Sequence, residues 1–162
     1  MNLMKQIQKI FMIAALLLFS AGAFAQQGSF SLLGKIGYQS DFERLGIGGD
    51  ARIGLVEHIR LVPSMTFMVP NNDVMGLEAD LNLQYVFPIS GTTLDLYPLT
   101  GFNMDNNRFS KHGYKHKWTK WGYNIGAGTD YYLTKDDFLN LEFQYTFGRD
   151  FARIMLGYGY KF

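Results

Sequence analysis

The sequence has no cysteine. That excludes a disulfide framework, a thiolate-held metal site and a lipid-modified cysteine at an export cleavage site. It also lacks a charge bias. Fifteen Lys and Arg face fourteen Asp and Glu, a formal net charge of +1, so nothing in the global balance argues for a nucleic-acid partner. Beyond residue 25 it lacks any apolar run near the roughly 20 residues that a membrane-spanning helix needs. An integral membrane protein of this composition has to cross with strands. No cofactor is expected.

Aromatic residues and glycine are abundant: 16% of the chain is Phe, Trp or Tyr, and there are 18 glycines. The first residues read as a signal peptide. Lys5 and Lys9 precede an apolar core over Ile10–Phe19, and Ala23-Phe24-Ala25 forms a small-x-small cleavage site. The expected domains are residues 1–25 as signal peptide and 26–162 as one exported domain. Without Lys5 and Lys9 the formal balance falls from +1 to −1.

From Gly28 onward the hydrophobic period is two almost throughout, the signature of strands with one apolar face. Eight strands are expected, near 29–40, 45–55, 59–69, 75–87, 93–104, 120–133, 138–148 and 151–162. The seventh is the cleanest, with Leu139, Leu141, Phe143, Tyr145 and Phe147 set against Asn140, Glu142, Gln144 and Thr146. Short breaks separate the strands, at 41–44 and 70–74 among others, and one long loop is expected over 105–119. Pro63 and Pro98 fall within strands, where each removes a ladder donor, so a bulge or register shift is expected at both.

Spans of about 10–12 residues suit a tilted membrane strand. A soluble barrel would turn a Lys- and Glu-rich face to water. Here the polar face is mainly Gly, Ser, Thr, Asn and Gln, and the apolar face gathers aromatics near the strand ends. Phe67, Phe102, Trp121, Tyr145 and Phe147 lie toward one rim, and Tyr85, Phe87, Tyr131, Tyr160 and Phe162 toward the other. Such girdles mark the two membrane interfaces. The expected fold is therefore all-β: a transmembrane, eight-stranded, antiparallel up-and-down barrel.

The last stretch, FARIMLGYGYKF (151–162), places Ala152, Ile154, Leu156, Tyr158, Tyr160 and Phe162 on one face. It resembles the closing strand of bacterial outer-membrane barrels, and the whole exported chain resembles the small OmpA/OmpX-like barrels. The resemblance implies residence in a Gram-negative outer membrane. It also implies that Tyr158, Tyr160 and Phe162 form the signal read by the barrel-assembly machinery. OmpA-like proteins often add a peptidoglycan-binding domain, whereas a bare barrel is expected here. OmpX-like proteins raise long strands above the membrane, and most outer loops here look too short for that.

Eleven ionisable residues are expected to face inward: Lys35, Asp50, Arg52, Arg60, Glu78, Asp80, Asp95, Asp130, Glu142, Arg153 and Lys161. In so narrow an interior they should pair across the lumen as a plug, because unpaired buried charge is costly. The other reading is an ion path, which would make the protein a narrow pore.

The segment RFSKHGYKHKWTK (108–120) holds Arg108, Lys111, Lys115, Lys117 and Lys120, with His112 and His116 and no acid. Phe109, Tyr114 and Trp118 are interleaved. Such a surface suits polyanions, lipopolysaccharide phosphates among them, or simple anchoring to a charged leaflet. The histidines add positive charge on acidification. Their spacing suits a metal mainly on a helix, so none is expected.

An acyltransferring enzyme of the outer leaflet would need a nucleophile with a positioned base. Ser110 and His112 are near in sequence only, and His58 falls in a turn at the other end. The expectation is a non-enzymatic structural or surface-interaction protein, with a lipid-modifying enzyme or a narrow pore as alternatives. Expected partners are outer-membrane lipid and lipopolysaccharide, the assembly machinery, and an envelope protein if the barrel is a subunit of a larger assembly.

Overall fold

The computed structural model describes residues 29–71, 73–111 and 114–162. The expected signal peptide, His112 and the side chain of Lys111 lie outside the described residues. Eight long strands follow one another: β1 Phe30–Gln39, β2 Arg44–Val56, β3 Ile59–Asn71, β4 Val74–Tyr85, β5 Leu94–Lys111, β6 Tyr114–Tyr132, β7 Asp137–Phe147 and β8 Phe151–Lys161. A two-residue piece, Phe87–Pro88, continues β4 along β5 past Val86.

Each strand pairs antiparallel with the next, and β1 pairs with β8, where Gly34 faces Tyr158. The sheet is thus closed, and no edge is left to template aggregation. The last residue is tied in as well: the Phe162 amide donates to the Phe30 carbonyl at 2.8 Å.

The ends of the barrel differ. At one end lie both chain ends of the barrel and the connections 57–58, 86–93 and 133–136; we call it the terminal end. The other carries the β5–β6 hairpin and is the hairpin end. Four connection residues at positive φ are of types that tolerate it, while Phe42 (50°), Glu43 (48°) and His58 (67°) also adopt it. Gly91 (77°) and Gly148 (80°) have no Cβ to clash, and Asp73 (64°) and Asp150 (53°) carry short polar side chains.

Alternation has turned the polar face inward. On β4, Glu78, Asp80, Asn82 and Gln84 are buried, while Leu77, Leu81, Leu83 and Tyr85 are exposed. The exposed apolar face is continuous round the wall and bounded by aromatics. Phe102 (64% exposed) and Trp121 (70%) lie toward the hairpin end, Phe162 (71%) at the other. A soluble protein could not leave such a band in water, whereas lipid accepts it.

Three sequence expectations need correction. The loop expected over 105–119 is mostly strand. β5 and β6 pair continuously from Leu94↔Tyr131 to Lys111↔Tyr114, so this hairpin rises well past its neighbours. Its charged residues have no apolar alternation, and that hid the strand period. Pro63 shifts no register: β3 holds Pro63↔Leu81 in line with Ser64↔Asp80, and its pairing with β2 resumes in the same register at Ile53↔Leu61. Pro98 likewise keeps Pro98↔Ala127 in register, and the β4 side skips from Gln84↔Leu99 to Phe87↔Leu96. The sheet thus absorbs each proline without a bulge. The register shifts lie elsewhere, at Gly54/Val56 and Met68/Asn71.

Candidate functional site

Two places gather chemistry: the lumen and the outer part of the hairpin.

The lumen is crossed by two struts. In an eight-stranded barrel, β4 and β8 stand on opposite walls, as do β2 and β6. Arg153 of β8 reaches across to β4, with Nη1 2.5 Å from Glu78 Oε2 and Nη2 2.7 Å from Asp80 Oδ2. Nearer the terminal end, Arg52 of β2 crosses to β6, where Nη1 donates to both oxygens of Asp130 at 2.8 Å. Arg60 of β3 joins the same carboxylate at 2.8 Å. Lys35 pairs with Asp50 on the adjacent strand at 2.5 Å rather than across the lumen.

Neutral groups complete the network. Asp80 Oδ1 accepts from Asn103 and Asn124, each at 2.8 Å. Glu142 accepts from the Tyr97 hydroxyl at 2.9 Å and from Gln84 at 3.1 Å. Asp95 and Lys161 sit at the half-open terminal mouth.

Sequence reasoning missed part of this lining. Arg44, expected in a loop, begins β2 fully buried and donates to Asn107 at 2.6 Å. Arg149, also expected in a connection, reaches Asp105 and, at 3.4 Å, Asp41. Tyr97, Phe138, Phe151 and Met155 also fill the lumen. The signal was present: alternation continued one step before the expected 45–55 strand points Arg44 inward, and within the expected 138–148 and 151–162 strands it points Phe138 and Phe151 inward. The inward glycines make room for rings: a Cβ at Gly128 would fall on the Tyr97 hydroxyl, and one at Gly159 on the Phe138 ring. Arg52 packs 5.2 Å from the Phe138 ring centre, and Arg60 4.7 Å from that of Tyr97.

On the hairpin, strand alternation divides the basic segment. Register pairs Arg108 with Lys117 and Ser110 with Lys115, so all four belong to the outward face that Phe102 and Trp121 continue below. The other face holds Phe109, His116, Trp118 and Lys120, with the His116 and Trp118 rings 5.6 Å apart. Arg108, Lys115 and Lys117 are all exposed. They line a cleft of about 670 Å³ with Pro70, Met75 and Phe109, closed on one side by the β3–β4 turn. The Ser110 amide donates to the Asp73 carbonyl at 3.2 Å, which ties hairpin to turn. A second slot, lined by Phe67, Met75, Leu77 and Arg108, continues down the wall. Ser110 and His116 fall on opposite faces and form no nucleophile–base pair.

At the terminal end, Asp137 accepts from Tyr158 Oη and, at 2.8 Å, from Thr134 Oγ1. Tyr160 and Phe162 meet edge to face with ring centres 5.0 Å apart on the outer wall.

Closure, an apolar band between aromatic girdles and a charge-paired interior define a transmembrane β-barrel. The chain belongs to the outer membrane protein beta-barrel domain family, whose model matches residues 11–162. No curated protein sequence matches it. Among solved structures it is similar to the N-terminal barrel domain of Pseudomonas aeruginosa OprF, with TM-score 0.71 and 24% identity over 84% of this chain and all of that one. It is similar to Yersinia pestis Ail, the attachment invasion locus protein, with TM-score 0.63 and 19% identity over 83% and 98% of the two chains. Neisserial surface protein A gives TM-score 0.63 and 13% identity over 83% and 95%. At these identities the likeness shows the fold. The family supports residence in the outer membrane of a Gram-negative bacterium.

Proposed function

We propose that the protein is a non-enzymatic outer-membrane barrel that acts at the cell surface, and that its β5–β6 hairpin holds polyanions, with lipopolysaccharide phosphates as the resident source. The hairpin end faces outward, as the longest connection does in this class. The observation that carries the reading is the convergence of Arg108, Lys115 and Lys117 on the outward face of the hairpin. Headgroup phosphates lie at that height, just above the Phe102 and Trp121 girdle. Arg108 offers a planar donor fork and the lysines point charges. The apolar slot below Arg108 suits the first part of an acyl chain. Barrel lipid, the assembly machinery that reads Tyr158, Tyr160 and Phe162, and an envelope protein in a larger assembly complete the proposed partners.

The test is affinity for purified lipopolysaccharide by surface resonance, at low and high salt. Changing Arg108, Lys115 and Lys117 to Gln should weaken binding at low salt by about 100-fold, at ~1 kcal/mol for each charge near an anionic surface. High salt should erase most of the difference. Sucrose octasulfate, the heparin analogue with which Ail has been crystallised, serves as a soluble probe. If the Gln variant binds as tightly as the wild type at low salt, the hairpin is a solvated connector.

A further inference from the structure

The mouth at the terminal end is not used by that reading. A cavity of about 270 Å³ opens there, lined from β1 to β6 and from β8. Its charged lining is unequal: Arg52, Arg60 and Lys161 face one carboxylate, Asp95. Asp130 lies fully buried beneath and is shared by both guanidinium groups, so one carboxylate serves two cations. Arg60 keeps part of its side chain accessible, at 12% exposure, and Lys161 is half-exposed at the rim. Ser29 and Ser31 add hydroxyls to the same wall.

We propose that this mouth is a receptor site for a small anion, a carboxylate or a phosphate, entering from the terminal side. In the orientation given above, that side is the periplasm. Arg60 and Lys161 meet the anion and Arg52 forms the floor. Asp130 and Asp95 set the limit on its charge, because a bulky polyanion would meet both carboxylates. The volume admits a terminal carboxylate or a single phosphate group and excludes a glycan chain.

The experiment uses the full barrel refolded in zwitterionic micelles, titrated separately with inorganic phosphate and with acetate. Calorimetry gives affinity, and amide shifts give location. Binding should perturb the amides of Ser31, Gly54, Arg60 and Lys161. Lys161→Gln removes a half-exposed charge at the rim, so the variant should keep its fold, checked by its gel shift on heating. It should weaken binding about tenfold, the loss expected for one charge-assisted contact. Arg60→Gln should do the same. The hairpin Gln variant should bind both anions as the wild type does, which separates this site from the surface reading. A preference for acetate assigns a carboxylate ligand, and a preference for phosphate a phosphorylated one. Equal affinity in wild type and Lys161→Gln, shifts confined to the hairpin, or no binding of either anion overturns the proposal.

Discussion

Arg153 shows what a single side chain does in this barrel. It is buried, carries its charge across the lumen and holds two carboxylates, Glu78 and Asp80, on the opposite wall. Removing one partner of such a group leaves the others uncompensated. Arg153→Met should therefore lose about 3–5 kcal/mol in urea unfolding from vesicles. Adding Glu78→Gln and Asp80→Asn should return most of that loss, since no charge is then stranded. An unchanged midpoint in the single variant would mean that the strut bears no load.

At the scale of elements, the alternating strands were legible because one face meets lipid and the other a packed lumen. The period of two survives where both demands act, as in β4 and β7. It fails at the outer half of β5 and β6, which rises above the apolar band. Arg108 to Lys120 read as a loop for that reason, although cross-strand pairing continues to Lys111↔Tyr114. Arg44 and Arg149 were hidden differently. Both flank turns, and in sequence a charge beside a turn reads as solvated. The mouth cavity was not legible at all, since its residues come from seven strands. The hairpin should be separable from the barrel. Replacing 107–118 by Asn-Gly, which suits a two-residue turn, should leave gel mobility and circular dichroism intact. It should also abolish polyanion binding. Loss of folding would show that Asn107, bonded to Arg44, or its neighbours are needed to close the barrel.

For the whole molecule, closure removes every edge, so local losses are spread over the wall. Phe162 illustrates this. Its ring touches Phe30 and Tyr160 and is otherwise exposed, and losing it should cost only about 1–3 kcal/mol. Phe162→Ala should refold efficiently in detergent yet reach the outer membrane poorly, as expected if the assembly machinery reads that residue. Normal yield in cells would remove the signal from β8. The central claim is that the inward charges plug the barrel. Arg52, Arg153 and Arg44 are each almost wholly buried, at 1%, 1% and 0% exposure, so they stop the lumen at three heights. Planar-bilayer conductance of the purified barrel tests this most directly. The plugged lumen predicts no steady current above background; stable unitary currents of defined size would mean that the charges line a path.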